Sequence, residues 1–312
     1  MKKIIRFAAL ILCVVLLAGC TGAADMMEQI DNIGPVTLNS LPKILSAEKS
    51  YESLSSYAKG KVENYQTLLD ARSRYDAIVQ EQKDLNEAIS NLGTITTASR
   101  GQLNAISNRY ETAKKTYYPE QFSAIGLQLE QLEKTYSRCV FDEKLADAQK
   151  LLEKGQAYDA LKVLDSTSAV YHNDQYTELR DAALVKLKNN RPKNGKVLGR
   201  NLKSGINVLK VTAEEHDFVV KLYSGDDYVT FYVRSGQTAT IKVPDGLYSL
   251  KYGTGEYWCD TTNYFYPSNT FSQSLTLYQF ESTKRTYTQY KVTLSKTTSF
   301  GAMLNSTPIS DF

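Results

Sequence analysis

The sequence predicts an α+β multidomain protein, with an N-terminal all-α region of helical bundles and hairpins followed by a C-terminal antiparallel β-sandwich. Three observations predict it. Apolar residues recur at three- and four-residue spacing from residue 25 to residue 189, the period of helices with one buried stripe. Beyond residue 196 the period becomes two, which sends alternate side chains to opposite faces of a strand. Between them lies "KNNRPKNGK", Lys188 to Lys196, whose Asn, Pro and Gly punctuate a chain rather than build a core. A chain of 312 residues has room for two or three modest domains.

The first element, over 1–19, is an export signal. "MKKIIRFAALILCVVLLAGC" sets Lys2, Lys3 and Arg6 before an apolar run from Phe7 to Leu17, too short to span a bilayer as a permanent helix. Leu17-Ala18-Gly19-Cys20 resembles the lipobox of bacterial lipoproteins at all four positions. The resemblance implies cleavage between Gly19 and Cys20, lipidation of the Cys20 thiol, and attachment to the membrane through that lipid. Two or more acyl chains anchor stably where one is marginal, so the expected localisation is extracytoplasmic and lipid-anchored. Removing 1–19 takes three cations and no acid from 37 Lys and Arg against 34 Asp and Glu. No basic excess remains to attract nucleic acid.

Two helical modules follow, over 25–80 and 81–137. "IDNIGPVTLNSLPKILSAEKSYESL", Ile30 to Leu54, matches "ISNLGTITTASRGQLNAISNRYETA", Ile89 to Ala113, at a constant offset of 59. In each copy a helix stops at Gly34 or Gly93, where a positive φ is easy. Ser40 or Ser99 then offers an N-cap oxygen to the next helix, whose stripe in the first copy is Ile44, Ala47, Tyr51 and Leu54. A third short helix carries Tyr65, Leu68, Leu69 and Tyr75, or Ile125, Leu129, Leu132 and Tyr136. This pattern resembles the small helical repeat of exported and cell-wall proteins of Gram-positive bacteria, which implies a spacer or stalk without activity.

Residues 138–189 continue as helix. Ala148, Leu151, Leu152, Gly155, Tyr158, Ala160, Leu161 and Leu164 resemble one tetratricopeptide-type hairpin with Gly155 at its turn, capped by a helix from Tyr176 to Lys188. One such unit makes no long concave groove, so packing is its expected role. After a linker at 190–196, a β-sandwich domain spans 197–312. Its predicted strands are Val208–Thr212, Phe218–Tyr223, Tyr228–Val233, Thr238–Val243, Leu247–Tyr252, Thr270–Phe280 and Tyr287–Leu294, with turn signals between them.

No enzyme signature is present, neither G-x-S-x-G nor a P-loop nor G-x-G-x-x-G. His172 and His216 each lack a His or Cys partner at ligand spacing, so the reading assigns no catalytic residue, metal or cofactor. Cys13 leaves with the signal, and Cys139 and Cys259 read as two structural thiols rather than a disulfide framework. The chemical character lies in Tyr257, Trp258, Tyr264, Phe265 and Tyr266. Aromatic rings stack on sugars while neighbouring amides and carboxylates hydrogen-bond, which makes Tyr257, Trp258, Asp260, Asn263, Tyr264 and Tyr266 the candidate ligand-binding residues. The same rings are what a half-buried pleated surface prefers.

"VRSGQTATIKVPDGLYSLKYGTGEYWCDTTNYF" resembles a C-terminal β domain recurrent in uncharacterised Gram-positive gut-type proteins, through Val243, Pro244, Gly246, Tyr248, Tyr252, Gly255 and Trp258. More loosely it resembles transthyretin-like accessory sandwiches. Neither resemblance implies a reaction, and Cys259-Asp260 departs from the Tyr-Gly of the pattern. The expected function is a non-catalytic surface lipoprotein whose stalk presents the sandwich to a protein partner or wall polymer. The alternative is a lipoprotein that binds cell-wall or host glycan through the aromatic loop 257–266.

Overall fold

The structure, a computed structural model, describes residues 22–295 and 306–308. Gly19 and Cys20, and with them the lipidation and cleavage expectation, lie outside the described residues. Helices fill the region up to Asn189 and strands begin at Val197, so the α+β class is observed. The chain divides into two compact units, Met1–Val140 and Phe141–Phe312.

The first unit holds α1 over 22–31, α2 (Leu41–Ser53), the single turn α3 (Ser56–Lys59), α4 (Tyr65–Ser90), α5 (Arg100–Thr116) and the start of α6 (Ser123–Glu153). Its repeat is visible in the backbone, with Gly34 at φ +65° and Gly93 at φ +60°. The serines behave otherwise than predicted. Ser40 and Ser99 make no side-chain bond to the helix that follows them. Each takes helical dihedrals and runs a 3₁₀ turn straight into the next helix, which leaves no free end to cap. Their hydroxyls turn back instead, accepting from the N–H of Thr37 at 2.9 Å and of Thr96 at 3.1 Å.

The third helix of the first copy is not short. It runs without interruption as α4, bringing Leu68 and Ala71 to one core and Ile78 and Leu85 to the other. The two modules share this helix, and the expected division at 80/81 falls inside it. Salt bridges follow the same hand-over. Arg72 clamps Glu48 of α2 from the first half of α4, whereas Arg109 of α5 holds Glu81 and Asp84 on the second half. Ion pairs that still reach solvent, as these do, contribute only about 0–1 kcal/mol each; the enclosed Ile44, Leu68, Ile78 and Leu85 carry far more, at about 1.5–3 kcal/mol per side chain.

The second unit contains the rest of α6, α7 (Ala157–Asp165) and α8 (Asp174–Asn189), then, among the described residues, twelve strands. Gly155, at φ +80°, turns the chain between α6 and α7. The strands are β1 (Val197–Arg200), β2 (Asn207–Ala213), β3 (Phe218–Ser224), β4 (Asp227–Val233), β5 (Thr238–Val243), β6 (Gly246–Thr254), β7 (Tyr257–Trp258), β8 (Phe265–Tyr266), β9 (Thr270–Ser274), β10 (Tyr278–Phe280), β11 (Gln289–Leu294) and β12 (Ser306–Pro308). A seven-stranded sheet, ordered β1-β4-β3-β6-β9-β12 with β10 also on β6, faces a three-stranded sheet β11-β2-β5. Val220, Phe231, Leu250 and Phe280 of the first meet Leu209, Val211, Ile241 and Val292 of the second in one core.

Three details correct the strand reading. β11 runs parallel to β2; the two are far apart in the chain, so no hairpin turn imposes the antiparallel direction. Thr270–Phe280 is two strands, β9 and β10, both antiparallel to β6 but out of register by two residues, so 275–277 bulge outward. The short β1, β7, β8 and β12 carry too few residues to show a period. The segment 190–196 is also no free linker. Arg234 of β4's end donates to the carbonyls of Arg191 and Pro192, Asn194 donates to the Thr238 carbonyl, and Gly195 N–H donates to the Tyr232 carbonyl.

A proline inside a helix removes a hydrogen bond and clashes with the preceding turn, at about 3 kcal/mol or more. Lys83→Pro, at an exposed position of α4, is therefore expected to lower the thermal stability of the helical unit by at least that amount and to reduce its far-UV helical signal. A wild-type melt would contradict the shared helix.

Candidate functional site

Gly255 to Asn269 crosses the outer face of the large sheet, opposite the sandwich core. At Gly255 the chain passes so close to Phe265 and to the Ser268 carbonyl that a Cβ has no room. This accounts for the glycine of "GTGEYW" on steric grounds. The chain then makes a two-stranded ribbon in which Tyr257 pairs with Tyr266 and Trp258 with Phe265. Residues directly opposite share a face, so the four rings sort into two pairs.

Trp258 and Phe265 face the sheet. They are 6% and 2% exposed and close over Val219 and Tyr232, with Trp258 edge-on to Tyr232 at 4.9 Å and to Phe265 at 5.5 Å between ring centroids. Tyr266 and Tyr257 face the helical hairpin and pack with Leu161, Leu164, Tyr176 and Leu179. β7 lies against α8. The ribbon is thus a layer between sheet and hairpin, and the hairpin and the strands belong to one unit instead of the two separated at 190–196 in the sequence reading.

Polar bonds fix the layer on both sides. The Tyr266 hydroxyl, on a residue only 4% exposed, donates to Asp165 at the end of α7 at 2.8 Å and accepts from Arg180 of α8 at 3.3 Å. Burial first, and then the Asp165 carboxylate, push its phenol up to about 12. On the sheet side the Tyr232 hydroxyl donates to Asp217 at 2.6 Å, and Asp217 also accepts from Ser235 N–H at 2.7 Å and from Arg191 at 3.3 Å. Burial, followed by that bond, raises the Tyr232 phenol well above its ordinary range. Neither Asp165 nor Arg180 carried any sequence signal, lying 101 and 86 residues from Tyr266.

The polar candidates are committed to their own loop. Asp260 accepts from the N–H groups of Thr262 and Asn263, both at 2.7 Å, and from the Asn263 amide at 2.8 Å. Burial opposes its charge, but these donors outweigh it and hold the carboxyl below the usual range. Asn269 donates to the Asn263 carbonyl and accepts from Phe265 N–H. Between them Tyr264 sits at φ +57°, the only non-glycine residue with positive φ among the described residues. Such a backbone costs of order 1–3 kcal/mol for a bulky side chain. Its ring stands edge-on to Phe271 at 5.9 Å, and the two line a shallow depression of about 460 Å³ with Thr261, Thr262 and Asn269.

Of the six residues predicted to contact a ligand, Trp258 and Tyr266 are therefore enclosed, Asp260 and Asn263 make an internal turn, Tyr257 is half-buried against the hairpin, and Tyr264 reaches the surface depression. Cys139 and Cys259 are both free. Burial first, and then Asp260, push the Cys259 thiol up to about 12, so it is a thiol and not a thiolate at neutral pH. Among the described residues no group of three or more His, Cys, Asp and Glu is placed to hold a metal, and no helix is long and apolar enough to cross a membrane.

No protein-family model and no curated protein matches the chain. Among solved structures the chain is distantly similar to the N-terminal part of the bacterial S-layer protein SbsC, at 11% identity over 80% of this chain and 77% of that one, with a TM-score of 0.26. Domains 1–6 of the same S-layer protein give 9% identity over 80% and 45%, with a TM-score of 0.25. Likeness at this level carries no argument about fold or function.

Tyr266→Phe removes one hydroxyl and leaves Asp165 without it, at a cost of about 1–3 kcal/mol. The folded values of Tyr266 and Cys259 lie above the ordinary values of about 10 and 8.5. Their contributions are therefore fully present below those ordinary values and lost as pH rises through about 12. Urea unfolding followed through Trp258, the sole tryptophan, should show a lowered midpoint for Tyr266→Phe at pH 7 and a smaller alkaline loss than wild type toward pH 12. An unchanged neutral midpoint contradicts the clamp.

Proposed function

We propose that this chain is a non-catalytic, lipid-anchored surface protein whose helical modules act as a spacer for an interaction head made of the hairpin and the β-sandwich. The observation that carries the reading is Leu17-Ala18-Gly19-Cys20 directly after the apolar run that ends at Leu17. A helix shared by two modules supports the spacer role, since it offers no loop at which they could hinge. The enclosed aromatic layer supports a structural head rather than an enzyme, because Tyr266 and Tyr232 turn their hydroxyls to internal carboxylates.

Glycan binding remains the second reading, narrowed to the depression beside Tyr264 and Phe271, with Thr261 and Thr262 as hydroxyl partners. Glycan retention that depends on Tyr264 separates it from the first. For the anchor, Cys20→Ala is expected to abolish lipid attachment, so that the protein is unprocessed or lost from the membrane fraction, and globomycin should accumulate the longer precursor. Recovery of processed Cys20→Ala from membranes at the wild-type level would overturn the proposal.

A further inference from the structure

The outward face of the small sheet carries cations and hydroxyls and no acid. In β2, β5 and β11 alternate residues are buried in the sandwich, and the others point away from it. Those outward positions include Lys210, Lys242 and Lys291. Four more are threonines, Thr212, Thr238, Thr240 and Thr293, and only Val208 and Gln289 complete the face. Register sets Lys210 directly between Lys291 and Thr240, and places Lys242 one row along, beside Val208.

Two like charges directly opposite each other destabilise a strand pair, and no Asp or Glu stands among the nine outward residues to offset them. The chain beyond residue 19 has as many acids as bases. All three charges on this face are positive. Neighbouring strands lie about 4.8 Å apart and alternate residues of one strand about 6.6 Å apart, so the three ammonium groups rise from a patch on the order of 10 Å across.

We propose that this face holds a linear phosphodiester polymer of the cell envelope. Lysine ammonium groups are compact point charges suited to phosphate, and threonine hydroxyls donate to the same oxygens. Among the described residues, β2, β5 and β11 offer strands and no helix that could enter a duplex groove. Among the nine outward residues none is a large exposed apolar side chain of the kind that seats a protein in a bilayer, Val208 being half-buried; Ile206 and Tyr287, each 56% exposed, lie just before β2 and β11. The inference rests on the extracytoplasmic reading only for where the polymer is met; the anchor and the binding face fail separately, because the test uses purified protein.

The experiment measures binding of the full chain to fluorescent poly(glycerol phosphate) at 50 and 200 mM salt, with duplex DNA and equimolar phosphatidylcholine–phosphatidylglycerol vesicles as comparators. Three phosphate contacts on a flexible chain give a log–log salt slope near −2, so wild-type affinity should fall on the order of tenfold across that range. The triple variant Lys210→Gln, Lys242→Gln and Lys291→Gln should bind at least tenfold more weakly while its urea midpoint is unchanged or slightly raised, since a like-charge pair is removed. Equal binding by wild type and triple variant, no binding by wild type, or preference for DNA or vesicles overturns the proposal.

Discussion

The second unit depends on a two-residue period in a ribbon only two residues long. Because neighbouring side chains of a strand point to opposite faces, Trp258 and Phe265 reach the sheet while Tyr257 and Tyr266 reach the hairpin. Val219 and Tyr232 lie on the face of the large sheet that points away from the sandwich core, yet neither is exposed. Their cover is the ribbon. The hairpin likewise completes its core with Tyr266, a residue from the far side of the β region.

Magnitudes decide what the loop is for. A fully buried large apolar side chain contributes about 1.5–3 kcal/mol, and three of the four ribbon rings are buried. Their sum exceeds the strain of about 1–3 kcal/mol at Tyr264, which the turn built on Asp260 holds in place. The loop therefore has a structural reason for its rings, its Asp-Asn pair and its unusual backbone. The hydroxyl bonds of Tyr266 and Tyr232 add direction to a contact that burial alone would leave free to slide.

Much of this was legible in the sequence, and what was not has physical causes. Gly34 and Gly93 announced helix ends because a positive φ is nearly reserved to glycine, and the change of period at Lys188 to Lys196 marked where helices give way to strands. The fusion of two helices into α4 had a sign as well, since Asp76 to Ile89 contains neither Gly nor Pro. The sequence does not separate the two roles open to Ser40 and Ser99, because a serine before a helix serves equally as a forward cap or as the end of a 3₁₀ turn. The parallel pairing of β2 with β11 and the clamp of Tyr266 by Asp165 and Arg180 link residues far apart in sequence, and nothing local encodes them. Composition revealed the aromatic cluster but not which faces its rings take, for the same rings suit a glycan platform and a packed layer.

The ribbon joins hairpin and sheets into one folding unit, and removing the hairpin puts that dependence to the test. Residues 123–312, which keep α6 to α8, should show the emission of an enclosed Trp258 and a single cooperative urea transition. Residues 190–312, which keep every strand but lose the hairpin, should show Trp258 emission shifted toward that of solvated tryptophan and a lower midpoint. The same emission and the same midpoint in both would contradict the account, leaving the hairpin as a neighbour of the sandwich and not part of its fold.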